Sequence, residues 1–246
     1  MHRRAARDVL GVLIALALAG CEAPPRPGAD LAVLSTTPDE GAENVPISVV
    51  PRVVLDRPLD PTTVDADAFR LYSGDLVPGG AVAYSVVDRS LTFTPGVTLR
   101  TRLAYAARLA DGVRGIDGSA PVSPVELVFV TGSDDRGRPA PPPDPTFDGE
   151  ILPLVTARCS SCHAPPAPAG GLSLASADDI LRAAATTSSE WLGWAVVAAG
   201  SPARSYLLYK VTGSPGLVGR QMPPGEPLAL DDARKLERWI AMGAGR

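Results

Sequence analysis

Cys159-Ser160-Ser161-Cys162-His163 is the stretch that decides how this chain is read. Two thiols three positions apart can each add to one of the two vinyl groups of a haem. The adjacent imidazole can then turn onto the iron as proximal ligand, so the spacing reads as a c-type haem attachment site. The counts sharpen this reading: two of three cysteines lie here, and the other of two histidines, His2, lies in a segment expected to be removed. A zinc half-site is the plainer alternative. Structural zinc takes four ligands, however, and the sequence offers no second pair. A thioredoxin-like redox pair would sit beside a βαβ pattern, and none surrounds this motif. The expectation is one covalent haem c on Cys159 and Cys162, with His163 on the iron.

Outward from the motif, residues 147–246 read as helical. Phe147–Val155 suggests a first helix, with Pro153 tolerable only in its first turn. Ser176-Ala177-Asp178-Asp179 looks like an N-cap with first-turn acids, opening a helix over Ile180–Ala185. Ser201-Pro202 reads as the start of another helix and Gly213 as its stop. Asp231 is the expected cap of a last helix over Asp232–Met242, in which Leu236, Trp239 and Ile240 have the spacing of a core stripe. Without residues 1–20 no second histidine remains, so the sixth iron position falls to methionine or stays vacant. Met222 sits in the irregular, Pro-shaped Gln221-Met222-Pro223-Pro224-Gly225, whereas Met242 lies in the last helix, where packing is the usual fate of Met. Met222 is favoured as distal ligand over Met242 or a vacant site. Leu172, Leu174, Leu207, Leu208 and Trp239 are the candidates for a dry apolar pocket. The segment Thr186–Ala199, with Trp191 and Trp194, either lines that pocket or fills the core, and core filling is preferred.

Cys159–His163, Gly170-Gly171-Leu172-Ser173-Leu174, Gly200-Ser201-Pro202, Ser205-Tyr206-Leu207-Leu208, Met222-Pro223-Pro224-Gly225 and the closing Leu236…Trp239-Ile240…Gly243-Ala244 occur in this order. As a set they resemble a class I-like cytochrome c domain, above all the short planctomycete-type modules, over about residues 147–245. The resemblance implies covalent haem on Cys159 and Cys162, His163 as proximal ligand, Met222 as distal ligand, and a terminal helix packed across the first. It also implies haem attachment outside the cytoplasmic membrane. The lysine ring through which classical soluble cytochromes dock is missing, since Lys210 and Lys235 are the only lysines.

Upstream, Gly132–Thr146 is rich in proline and reads as a semi-rigid linker that lets the flanking domains sit apart and reorient. Residues 31–131 read as all-β. Short runs rich in Val, Leu, Tyr, Phe and Thr recur between Gly, Pro and Asp punctuation. Seven strands are expected, near Leu31–Thr36, Pro51–Leu55, Ala68–Tyr72, Ala81–Val86, Ser90–Thr94, Leu103–Leu109 and Glu126–Thr131, which points to a sandwich. Val87-Asp88-Arg89 is the expected hairpin turn. Thr37-Pro38-Asp39-Glu40-Gly41-Ala42-Glu43-Asn44-Val45-Pro46, Arg57-Pro58-Leu59-Asp60-Pro61-Thr62-Thr63-Val64 and Leu91-Thr92-Phe93-Thr94-Pro95 resemble the bacterial Ig-like domains of surface and S-layer proteins. That resemblance implies a stalk or spacer with no catalytic set. The acids Asp56, Asp60, Asp65 and Asp67 match no EF-hand spacing and read as turn formers rather than calcium ligands.

Residues 1–20 form a targeting segment, with Arg3, Arg4 and Arg7 ahead of an apolar run from Val9 to Ala19 that is short for a membrane span. Leu18-Ala19-Gly20-Cys21 resembles the lipobox of bacterial lipoproteins, which implies lipidation at Cys21. The alternative is an ordinary signal peptide that leaves Cys21 a spare thiol. Residues 21–30 become a lipidated, Pro-rich tether, and several acyl chains anchor a protein stably. Glu22 after the cysteine resembles outer-membrane sorting. Loss of residues 1–20 takes the formal charge from −4 to −6, and nothing is basic enough to suggest nucleic acid.

The expected fold is thus two domains, an all-β Ig-like sandwich followed by an all-α cytochrome c domain. The expected function is that of an envelope electron carrier rather than an enzyme, membrane-held by lipid and facing redox partner proteins in the periplasm or at the cell surface. A surface adhesion or scaffold protein using the Ig-like part, and a haem sensor or peroxidase with a labile sixth ligand, are the competing readings.

Overall fold

The computed structural model describes residues 30–135, 142–183, 186–190, 193–214 and 218–246. Cys21, the targeting segment, most of the tether and Trp191 lie outside the described residues.

Among the described residues, eight strands form two four-stranded sheets: β1 Val33–Thr37, β2 Ala42–Val45, β3 Arg52–Leu55, β4 Phe69–Tyr72, β5 Gly80–Ser85, β6 Ser90–Pro95, β7 Ala104–Leu109 and β8 Glu126–Thr131. One sheet runs β1-β3-β6-β5 and the other β2-β8-β7-β4. Alternation buries one face of each. Leu55, Leu91 and Phe93 share a core with Phe69, Leu71, Ala107 and Phe129, where Tyr105 stacks on Phe129 at 5.9 Å. Seven strands fall where the sequence places them, to within a residue or two. The eighth, β2, was not expected. Its sequence Ala-Glu-Asn-Val is polar, only Val45 is buried, and it is held by parallel pairing with β8 at the sheet edge. The acids do shape turns: Asp60 accepts from the Thr62 amide at 2.9 Å, Asp65 accepts from the Asp67 amide at 2.8 Å, and Asp56 pairs with the buried Arg57.

Among its described residues the C-terminal part carries four short helices, α1 Leu152–Arg158, α2 Ala177–Ala183, α3 Tyr206–Thr212 and α4 Leu230–Ala241. It is less helical than expected, since isolated bridges join Thr187 to Ala195 and Ala195 to Ser205. A π-type turn, Phe147–Ile151, leads into α1, with Pro153 in the first turn of that helix. Ser176 caps α2, its Oγ accepting from the Asp179 amide at 3.2 Å; residues 184 and 185, the expected end of this helix, lie outside the described residues. Three details differ from expectation. Pro202–Arg204 is a separate 3-10 turn, because the Ser205 hydroxyl accepts from the Ala198 amide at 2.8 Å and Ser205 is extended, which delays α3 to Tyr206. Asp231 is a first-turn acid of α4, and the capping position belongs to Ala229. Met242 is the C-cap of α4, half exposed. As the resemblance implied, the terminal helix lies across the first helical segment, with Trp239 and Phe147 rings 6.0 Å apart.

The two parts do not sit apart as the linker composition led us to expect. Val86 and Val87, in the turn between β5 and β6, are buried in the core of the helical part. Tyr84 packs against both cores. Glu237 of α4 seals the contact: its carboxylate accepts from the Val86 amide at 2.7 Å, the Val87 amide at 3.2 Å and the Ser85 hydroxyl at 2.6 Å. Beside it, Asp88 pairs with Arg234 of α4 at 2.9 Å and with Arg52 of β3 at 3.0 Å. Burial raises the Glu237 carboxyl above the usual carboxylate range, against the pull of those three donors.

Two outcomes follow for unfolding by denaturant. Glu237→Ala strands the Val86 amide and the Ser85 hydroxyl and lowers stability by about 3 kcal/mol. The raised value means that the folded protein holds this proton more tightly than the unfolded chain. The group's stabilisation is therefore full below the ordinary glutamate range and is lost as pH rises through the raised value. Glu237→Gln keeps an oxygen for the amides and removes the titration, so its denaturation midpoint should vary less with pH across that window than the parent's.

Candidate functional site

Helix α1 ends where the haem-type motif begins. Cys159 is its C-cap, donating its amide to Val155 O at 2.9 Å, and the Cys162 and His163 amides both return to Cys159 O, at 3.2 and 3.0 Å. The motif is thus a tight turn. It is bound to residues 169–174 by the Ala169 amide on Cys162 O at 2.9 Å, the Leu174 amide on His163 O at 2.7 Å, and the Ser160 hydroxyl on Leu174 O at 2.6 Å. Gly170 and Gly171 make the return at φ 61° and 72°, the left-handed region that favours glycine. The bend brings Leu172 O within 3.1 Å of His163 Nδ1. Nδ1 therefore carries the proton and donates it, which leaves Nε2 as the bare nitrogen able to bind a metal.

Met222 arrives from a different element. Helix α3 stops at Gly213, which is left-handed at φ 66°, and a side-chain carbon there would lie 2.7 Å from Gln221 Oε1. The chain then folds back along α3: the Gln221 side-chain amide donates to Val211 O at 2.9 Å and the Met222 amide to Lys210 O at 2.9 Å.

All four sequence-predicted residues, Cys159, Cys162, His163 and Met222, line one cavity of about 310 Å³. Leu172, Leu174, Leu207 and Val211 give it apolar walls. A small adjoining cavity of about 20 Å³ shares Cys159, Leu174 and Leu207 with it and is lined by Trp239. Leu208, expected in the pocket, instead lies fully buried in the core one helical step away from Leu207. Met242 does not line the cavity. The segment after α2 does both things considered for it: Trp194 packs edge-on against Tyr209 at 5.3 Å, while Thr186, Ser188 and Glu190 line the cavity. Cys162 is exposed and Cys159 partly buried, and burial pushes the Cys159 thiol up.

Sequence reasoning missed a polar cluster in the same wall. Lys210, only 8% exposed, pairs with Glu190 at 2.6 Å, and the Tyr206 hydroxyl donates to the same carboxylate at 3.0 Å. The signal was present: a lysine inside the apolar run Tyr206-Leu207-Leu208-Tyr209-Lys210-Val211.

The donor set fits a haem. Two thiols, one imidazole with a bare Nε2 and one thioether face a largely apolar space. Among the described residues, no group of three or more His, Cys, Asp or Glu is gathered for a metal ion, so the zinc reading of C-x-x-C finds no further ligands there.

Residues 28–131 match the family model described as a bacterial Ig-like domain, and residues 159–226 match that of planctomycete cytochrome C. No curated protein matches the chain. Among solved structures the chain is similar to the N-terminal part of the bacterial S-layer protein SbsC, at 17% identity and TM-score 0.34, covering 42% of this chain and 24% of that one. It is also similar to CopC from Methylosinus trichosporium OB3b, at 10% identity and TM-score 0.34, covering 45% of this chain and 99% of that one. A third is the L,D-transpeptidase LdtMt1, at 17% identity and TM-score 0.31, covering 44% of this chain and 41% of that one.

The imidazole geometry is testable without any cofactor. In a Cys159→Ser/Cys162→Ser chain, nitrogen NMR of neutral His163 should show the Nδ1–H tautomer. An Nε2–H tautomer would contradict the bond to Leu172.

Proposed function

We propose that this chain, a bacterial Ig-like domain followed by a planctomycete-type cytochrome c domain, is a membrane-anchored, single-haem electron carrier of the bacterial cell envelope. The observation that carries the reading is the convergence of Cys159, Cys162, His163 and Met222 on one cavity. Haem held there supplies a one-electron couple at its iron. The chain's residues provide the rest. Cys159 and Cys162 would hold the haem by adding their thiols across its two vinyl groups, an addition that would need no oxidant or reductant. His163 presents Nε2 because Nδ1 is held by Leu172. Met222 presents its thioether, and a His/Met pair raises the reduction potential, as suits electron transfer. Leu172, Leu174, Leu207 and Val211 keep the site dry, which favours the less charged ferrous state.

The anchor in this reading is a lipid on Cys21 followed by the Pro-rich tether, with the outer membrane favoured. Among the described residues no helix is long and apolar enough to cross a membrane. The partners are redox proteins of the periplasm or envelope. The Ig-like domain acts as a spacer, here a docked one.

The visible spectrum of the mature chain, made in cells with haem-attachment machinery, tests this. A low-spin spectrum is expected in both oxidation states, unmoved by carbon monoxide in the reduced state, and Cys159→Ala/Cys162→Ala should lack covalent haem. A parent protein that binds carbon monoxide readily would replace the carrier with a sensor or peroxide-reacting protein. A colourless parent protein would end the haem reading.

A further inference from the structure

The cluster around Lys210 reaches further than the cavity wall. Its ammonium donates to Val218 O at 2.8 Å and to Arg220 O at 3.2 Å, while its own carbonyl accepts from the Met222 amide at 2.9 Å. One residue of α3 thus makes three hydrogen bonds to residues 218–222, the stretch that delivers Met222. The side chain runs through a mostly buried position to do so, and Glu190 and the Tyr206 hydroxyl fix where the ammonium ends. A lysine meant only for solubility would extend into water. Here a charge is buried, and a buried charge is costly unless paired and fully hydrogen-bonded. The pairing with Glu190 offsets that cost. The remaining donors fall on carbonyls of the Met222 segment, which is also tied to α3 by the Gln221 side chain and by the Tyr206 hydroxyl on Val218 O at 3.4 Å.

We propose that Lys210 is the positioning residue for the sixth iron ligand: anchored by Glu190, it clamps residues 218–222 onto α3 and so holds the Met222 thioether over the cavity. This rests on the reading of Met222 as iron ligand. Lys210 touches no reacting atom; it acts through the segment it holds. Removing the clamp leaves the Cys159, Cys162 and His163 attachments intact and frees the Met222 side to open.

The test compares the haem-loaded parent, Met222→Ala, and Lys210→Met combined with Glu190→Gln, which removes both charges of the pair together. Met222→Ala should bind carbon monoxide when reduced. If it does not, the Met222 reading fails and the clamp falls with it. If it does, the Lys210→Met/Glu190→Gln protein should also bind carbon monoxide while keeping covalent haem. A double variant as inert as the parent overturns the role of Lys210 alone. Tryptic cleavage after Arg220, compared with cleavage after Arg238 in α4, separates local release from unfolding. Loss of the two side-chain bonds should raise the Arg220-to-Arg238 cleavage ratio by about tenfold. An unchanged ratio, whether both sites are protected or both are cut faster, overturns the proposal.

Discussion

The imidazole of His163 is committed on one side. Its Nδ1 proton belongs to the Leu172 carbonyl, so its reactive nitrogen faces the cavity by default. That bond exists only because the chain, having left α1 at Cys159, turns back through Gly170 and Gly171 and lays residues 169–174 against the motif. The same return path supplies Leu172 and Leu174 to the apolar wall. The orientation of the imidazole and the apolar wall beside it are therefore products of one loop closure. The helices frame this arrangement; the hydrogen bonds between irregular segments set it.

The far side of the site obeys a similar economy. Helix α3 ends at a left-handed glycine and its own carbonyls recapture the returning chain at Gln221 and Met222. A short helix thereby presents Leu207 and Val211 to the cavity and holds the methionine segment as well. Such loop-borne side chains gain their rigidity from second contacts rather than from regular structure.

The residues that meet at the cavity were legible in the sequence. A chain with three cysteines and two histidines leaves few ways to read Cys159, Cys162 and His163, and the proline-shaped loop singled out Met222. Strands with alternating apolar residues were equally readable. What escaped were residues whose role depends on partners distant in sequence. β2 is polar and gains its place from β8. Ser205 looked like helix interior until the Ala198 amide claimed its hydroxyl. Leu207 and Leu208 are adjacent in sequence but about 100° apart around the helix, so only one could face the cavity. Glu237 occupies the third place of the stripe Ala233, Leu236, Glu237, Ile240, where an apolar residue belongs. A charge on a helix usually faces water; this one faces the amides of a turn from the other domain.

That turn has a consequence for where the molecule can be divided. Family boundaries fall at residues 131 and 159, and the proline-rich stretch between them suggests two beads on a string. The packing disagrees. Val86 and Val87 are interior residues of the C-terminal half, although the chain reaches them some sixty residues before that half begins. A fragment starting at Phe147 would bring α4 to water with a bare apolar hollow and a carboxylate stripped of its donors. The excised Ig-like unit would carry two exposed valines at a hairpin tip. Modular in its sequence, the chain is joined in its interior at Val86 and Val87, a seam that the composition of the linker does not announce.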